Sequence, residues 1–166
     1  MNEVENKNKI AVLGVGNLLM KDDGLGVHAV HLLEQQRPDG ADIYDIGTSS
    51  LKMQDLMEQY PFVIILDAVQ TGAQPGTLYR LNGNSLSASE SHSLHDMGVA
   101  EILQMIPESK RPSVVVLGVE PEKVEWSIEL SKSVRDRVVD LIKAVKETIR
   151  ETIEHSSGQE KRLCRL

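Results

Sequence analysis

Two periodicities of apolar residues alternate along the chain. Short apolar runs, rich in β-branched residues and bounded by Gly, Pro or Asn, predict five strands. These strands cover residues 9–15, 41–46, 62–67, 77–81 and 113–119. Apolar positions spaced by three and four residues predict helices between and after them. The helices cover residues 24 to the stop signal at 37–40, 51–59, a segment beginning near His95, and 131 to about 154.

This order of elements predicts the fold class. Strands that alternate with helices are typical of an α/β protein, here a three-layer α/β/α sandwich around a five-stranded, mostly parallel, twisted sheet. The short Pro75-Gly76 link between the third and fourth strands indicates one antiparallel member. A length of 166 residues suits a single domain. We expect that domain to cover residues 1–166, with a polar segment at about 1–8 and a frayed tail at about 155–166.

Composition and charge restrict the possible partners. The chain has 18 Lys and Arg against 25 Asp and Glu, a net charge of −7, whereas binding to nucleic-acid phosphates needs clustered cations. The first residues contain no signal-peptide core, and no apolar run approaches the ~18 residues that span a bilayer. We therefore expect a cytoplasmic protein that binds neither nucleic acid nor membrane. Its oligomeric state stays open, with a monomer favoured. The one cysteine, Cys164, leaves carboxylates and imidazoles as metal ligands.

Three polar clusters follow predicted strands or begin a predicted helix. Asp22 and Asp23 lie in the glycine-containing loop after the first strand, Asp67 ends the apolar third strand, and His95 lies in the first turn of its helix. The carboxyl ends of parallel strands form the ligand-binding edge of such a sheet. Two carboxylates and one imidazole could therefore meet there and bind nickel, zinc or manganese in preference to calcium.

Each of these residues also has an ordinary structural interpretation. An aspartate at a strand end often caps the following turn, which would explain Asp67. Asp22 and Asp23 could form an N-cap pair for the first helix. His28, His31 and His92 have no carboxylate partner at evident ligand spacing and are assigned to surface or loop, and His155 to the tail. Trp126 is expected to be a packing residue in the last loop rather than a binding platform.

The glycine loop also permits a nucleotide-binding interpretation. Gly14 and Gly16 follow a strand, and Asp45 lies near the end of the second strand, as in a dinucleotide-binding unit. That fingerprint requires a third glycine three positions after the second, where this chain has Leu19, and a helix that begins at once. A P-loop is excluded because no Gly-Lys-Ser/Thr follows the glycines.

Five segments together resemble a known family, the hydrogenase maturation proteases. In chain order they are GVGNLLMKDDGLGV at 14–27, DIGTSS at 45–50, VIILDAV at 63–69, SLHDMG at 93–98 and VLGVEP at 116–121. The resemblance implies an α/β/α endopeptidase that removes a short C-terminal peptide from the large-subunit precursor of a nickel-iron hydrogenase after nickel insertion. The precursor is the implied partner.

The resemblance also implies the site residues. By position, the family's acidic residue in the glycine loop falls on Asp23, its strand-end aspartate on Asp67 and its histidine on His95. These three residues are the expected catalytic and nickel-binding residues, with nickel supplied by the substrate and no permanently bound cofactor. The family uses Glu or Asp at the first position, so Asp23 is the shorter variant. The adjacent carboxylate of Asp22 remains an alternative to it. Ile46 stands where relatives commonly have a glycine.

Two other classes of function stay open at this stage. A stand-alone metal-dependent hydrolase would hold its own ion, and a nickel chaperone would need a His-rich store, whereas the tail has only His155. Partner discrimination is expected in two places, the Ser- and Asn-rich loop at 82–93 and the surface near Trp126.

Overall fold

The structure is a computed structural model, which describes residues 10–86 and 98–163. Five strands form one sheet in the order β2-β1-β3-β5-β4. The strands are β1 Ile10–Val15, β2 Asp42–Gly47, β3 Phe62–Ala68, β4 Leu78–Asn82 and β5 Ser113–Val119. The helices are α1 Leu25–Gln36, α2 Ser50–Gln59, α3 Val99–Met105, α4 Lys132–Arg135 and α5 Val138–Leu163. Among these described helices, none is long and apolar enough to cross a membrane.

The strands pair as a mostly parallel sheet. β1 pairs in parallel with β2 and β3, and β3 pairs in parallel with β5. Only β4 among the described strands is antiparallel, as the short link before it indicated. It lies beside β5 at the edge, although it follows β3 in the chain. The predicted α/β class and the five-stranded sheet are confirmed.

Two apolar cores cover the two faces of the sheet. Alternate residues of β1 illustrate the division, since Val12 packs in the core under α1 and α5 while Leu13 packs in the core under α2 and α3. Successive side chains of a strand point to opposite faces, so a strand covered on both faces must be apolar throughout. This requirement explains why all six residues of β1 are buried.

The helix boundaries differ from the sequence prediction at one place. The helix expected over residues 131 to about 154 is interrupted after Arg135 and then continues as α5 to Leu163. No proline follows Glu154 to stop it. The capping box predicted at Ser93 and Asp96, and with it the helix start near His95, lies outside the described residues. The described helix in this region, α3, has Gly98 as its N-cap.

Candidate active site

Asp67 is the penultimate residue of β3 and lies at the carboxyl end of the sheet. It is 4% exposed and sits opposite Gly118 of β5. Alternation along the strand places it on the face of Ile65, which is the face covered by α2 and α3. A carboxylate held in such a place is costly unless charge or hydrogen bonds compensate for the lost solvation. Asp67 is therefore a strong candidate for a chemical role.

The loop after β1 returns Asp23 to the same end of the sheet. The Asn17 N–H donates to Asp23 Oδ2 over 2.9 Å, and the Asp23 N–H donates to the Met20 carbonyl over 3.1 Å. Gly16 makes this closure possible, because its φ is +140° and a Cβ atom there would lie 1.9 Å from the Asp23 carbonyl oxygen. Asp23 is consequently buried, with 6% exposure.

Direct packing joins the Asp23 loop to β3. Residues Lys21–Gly24 form a short 3-10 helix that contacts β3. In the first turn of α1, a Cβ atom on Gly26 would lie 2.1 Å from the Leu66 carbonyl oxygen, so only glycine allows the helix to approach the strand this closely. The structure therefore brings Asp23 and Asp67 to one end of the sheet from separate elements.

Asp22, the alternative to Asp23, makes different contacts. It is fully buried. Its Oδ2 accepts from the N–H groups of Glu122 and Lys123 over 2.8 and 2.9 Å and from Ser131 Oγ over 2.7 Å. Its Oδ1 accepts from the Ser131 N–H over 2.8 Å. Asp22 thus holds the segment between β5 and α4, while the neighbouring Asp23 faces Asn17.

The N-cap interpretation of the two aspartates is wrong. The N-cap of α1 is Gly24, which has no side chain to cap the first turn of that helix. Both aspartates lie one turn earlier, in the 3-10 helix.

His95, the third predicted residue, lies outside the described residues. Within residues 10–86 and 98–163, no group of three or more His, Cys, Asp or Glu side chains is placed to hold a metal ion. The structure thus describes two of the three predicted site residues, and the role of His95 stays a prediction.

Glu120 is a buried carboxylate at this edge that the sequence analysis did not select. It follows β5, and its carboxylate accepts from the N–H groups of Thr71 and Gly72 and from the hydroxyls of Thr71 and Tyr79. Burial alone would raise the pKa of Glu120, but these donors outweigh it and hold that pKa below its ordinary value. The only sequence signal was its place directly after an apolar strand, in VLGVEP.

The turn-capping interpretation assigned the turn after β3 to Asp67, but two backbone donors of that turn bind Glu120. The backbone N–H groups of Thr71 and Gly72, in the turn after β3, donate to Glu120. The carboxylate that binds these two donors therefore belongs to Glu120, which directly follows the neighbouring strand β5, 48 and 49 residues later in the chain.

His31 is exposed, as expected, but its contact was not foreseen, and the expectation for Trp126 is wrong. His31 does have a carboxylate partner, because its Nε2 lies 2.8 Å from Asp45 Oδ2 across the α1–β2 gap. The spacing in the sequence concealed this pair, which only the packing of α1 beside β2 brings together. Trp126 does not pack, since it is 80% exposed.

These observations describe an α/β protein with two buried aspartates at the carboxyl edge of its sheet. A family model described as hydrogenase maturation protease matches residues 27–148, which include Asp67 and His95 and begin after Asp23. The chain belongs to this family of endopeptidases.

Individual relatives agree with the family match. The hydrogenase expression/formation protein HupD of Bradyrhizobium diazoefficiens is 32% identical over 81% of this chain and 74% of its own length. The hydrogenase 2 maturation protease of Escherichia coli is 30% identical over 87% of this chain and 92% of its own. The solved structure of the hydrogenase maturating endopeptidase HybD from E. coli superimposes with a TM-score of 0.74 at 29% identity, covering 87% and 93% of the two chains.

Proposed function

We propose that this protein removes the C-terminal peptide from the large-subunit precursor of a nickel-iron hydrogenase, and that it acts once nickel has been inserted. The observation that carries the proposal is the placement of Asp23 and Asp67, two buried carboxylates, at one end of the sheet in a member of this protease family. The names of the relatives, hydrogenase 2 maturation protease among them, support the class of substrate.

In this proposal nickel belongs to the substrate. Asp23, Asp67 and His95 supply two carboxylates and an imidazole, a mixed oxygen and nitrogen donor set that suits nickel. Their binding to the nickel of the precursor would hold the scissile peptide at the carboxyl edge of the sheet. A precursor without nickel would lack this anchor, so cleavage would report completed insertion.

The chemistry of cleavage then has two components available. The nickel of the precursor would polarise the scissile carbonyl as a Lewis acid, or a site carboxylate would accept the proton of the attacking water as general base. The part of this chain is to orient the peptide and to hold the carboxylates in place. Asn17 holds the Asp23 carboxylate in place through its backbone N–H, which donates to Asp23 Oδ2.

The proposal includes the setting of the reaction. We place it in the cytoplasm, with a single copy of the protease acting on each precursor. A chain whose one cysteine, Cys164, has no intramolecular partner needs no oxidising compartment.

Intact-mass analysis of the precursor tests the proposal. Nickel-loaded and nickel-free precursors are incubated with the protein without added metal. Loss of a C-terminal peptide from the loaded precursor alone is the expected result. Cleavage of both forms would remove nickel recognition from the proposal, and an intact loaded precursor would overturn the proposed substrate.

Metal analysis of the purified protein separates this proposal from a stand-alone metallohydrolase. We expect well under one equivalent of any transition metal per chain, together with full activity towards nickel-loaded precursor in the presence of a mild chelator. A stoichiometric ion whose removal abolishes cleavage would instead indicate a resident catalytic metal.

A further inference from the structure

An exposed apolar surface lies beside the Asp23 loop. Every second residue of the segment 124–128 is apolar and exposed, and Leu19 of the neighbouring loop is exposed as well. The Trp126 patch, as we name this surface, consists of Leu19, Val124, Trp126 and Ile128. Trp126 and Ile128 are 80% and 62% exposed. Clustered exposed apolar side chains of this size often mark a binding surface.

The Trp126 patch is joined to the Asp23 loop by backbone hydrogen bonds. The Ser127 N–H donates to the Leu19 carbonyl over 3.0 Å, and the Lys21 N–H donates to the Ser127 carbonyl over 2.8 Å. Leu19 and Lys21 precede Asp23 in the same loop. The patch therefore lies next to the proposed cleavage site, at the same end of the sheet.

Side chains also hold the patch in place. Asp22 binds the backbone of the segment at both of its ends, at Glu122 and Lys123 and again at Ser131. Between these ends, Lys21 pairs with Glu125 over 3.2 Å, and His28 Nε2 lies 3.1 Å from the Ile128 carbonyl. A surface held in this way loses little conformational entropy when a partner binds.

The charges around the patch indicate the kind of partner. The segment carries exposed Glu122, Glu125 and Glu129 against Lys123, and Lys21 of the neighbouring loop pairs with Glu125, so the rim is net acidic by one charge. An apolar centre with an acidic rim is complementary to a protein surface that has an apolar centre and Lys or Arg around it. A second copy of this chain fits poorly, because each copy has a net charge of −7 and would present the same acidic rim.

We infer that the Trp126 patch is the docking surface for the folded body of the precursor, separate from the contacts made at the scissile peptide. This inference rests on the proposed function. The patch would position the precursor so that its C-terminal segment enters the site between Asp23 and Asp67. Trp126 is the expected energetic centre, since exposed tryptophans that become buried on association are over-represented among the residues that dominate binding.

Steady-state cleavage of nickel-loaded precursor tests the inference. Trp126→Ala is expected to raise KM about tenfold or more, and Ile128→Ala by a smaller factor, while kcat stays within about twofold of wild type. The charge argument adds that Glu129→Lys raises KM more than Glu129→Gln. Unfolding midpoints of all four variants should match wild type, because these side chains are exposed.

Met105→Ala is the matched control. Met105 is 56% exposed, close to the value of Ile128. It ends α3, from which the chain leads to the amino end of β5, so it lies at the opposite end of the sheet. The KM of the Met105→Ala variant should equal that of wild type. A Trp126→Ala variant with unchanged KM would overturn the inference while wild-type cleavage still supports the function, whereas a wild-type protein that cleaves no precursor removes both.

A spectroscopic measurement checks binding directly. Trp126 is the one tryptophan of the chain, so labelling with 5-fluorotryptophan gives a protease with a single fluorine resonance. Unlabelled precursor at saturation is expected to shift or broaden that resonance. An unchanged resonance at saturation would overturn the inference, as would a shift that appears with rising protease concentration alone, which would assign the patch to contact between copies.

Discussion

Asp22 and Asp23 are adjacent in the chain, yet their carboxylates accept hydrogen bonds from different parts of the protein. Asp22 accepts four hydrogen bonds from residues 122–131, whereas Asp23 Oδ2 accepts from Asn17 within its own loop. The 3-10 turn that contains both residues produces this division. We therefore expect substitution of the two aspartates to have different consequences.

Asp22→Asn should reduce stability. The asparagine amide would place a donor against the backbone N–H donors that the carboxylate now accepts, so we expect a loss of about 2 kcal/mol in the free energy of unfolding. Urea denaturation measures it, with Asp55→Asn on the exposed side of α2 as the control that should unfold like wild type. An Asp22→Asn protein as stable as wild type would contradict the hydrogen-bond account.

Asp23→Asn should abolish processing without unfolding the protein. The asparagine side chain retains an oxygen that can accept from the Asn17 N–H, so the loop geometry can persist while the negative charge is lost. Intact-mass analysis of nickel-loaded precursor measures the activity, and circular dichroism checks the fold. Processing that survives in Asp23→Asn but fails in Asp22→Asn at equal stability would transfer the role to Asp22.

Asp67→Asn and His95→Ala should behave in the same way as each other. Each is expected to leave the unfolding transition in place and to reduce cleavage below detection, because each removes one proposed ligand of the substrate nickel. A buried carboxylate kept for function often costs stability, so the free energy of unfolding of Asp67→Asn in urea is expected to be at least that of wild type. Full activity of both variants in the cleavage assay would remove them from the site.

Glu120 should make stability depend on pH. Its carboxyl has a folded-state pKa below the ordinary value of 4.5, so its contribution is present above about pH 4.5 and is lost as pH falls through the folded-state pKa. Glu120→Gln removes this group. Urea titrations at several pH values should show that wild type exceeds Glu120→Gln by about 1–3 kcal/mol near pH 7, with the difference shrinking at acid pH. A difference in the free energy of unfolding that stays the same at all pH values would contradict the assignment of this pH dependence to Glu120.

Gly16→Ala should be more damaging than the same change at another glycine with positive φ. At Gly16 a Cβ atom would collide with the Asp23 carbonyl oxygen, whereas at Gly72, where φ is +84°, nothing lies within 4 Å of the added atom. We expect about 1 kcal/mol for Gly72→Ala from backbone strain alone and a larger loss, with loss of cleavage, for Gly16→Ala. Equal losses at the two positions would show that the contact with Asp23 is unimportant.

Local pattern accounts for much of what was predicted. Strands such as β3 are covered on both faces, so their apolar runs appear directly in the sequence. The position of Asp67 follows from the end of that run, and the start of α1 from the change of periodicity after Gly24. The family likewise followed from the order of short segments along the chain, and the match to residues 27–148 confirms it.

The remaining features depend on contacts between distant parts of the chain. Asp22 meets Ser131 109 residues later, and Glu120 meets Thr71 49 residues earlier. The pairing of His31 with Asp45 is another such contact. The exposure of Trp126 likewise depends on how the elements pack and not on the local pattern. Periodicity reports which side of an element is buried, but it carries no information about which element covers that side. Local pattern therefore suffices to predict the layers, the carboxyl edge and the family, whereas the pairing of polar groups follows from long-range packing.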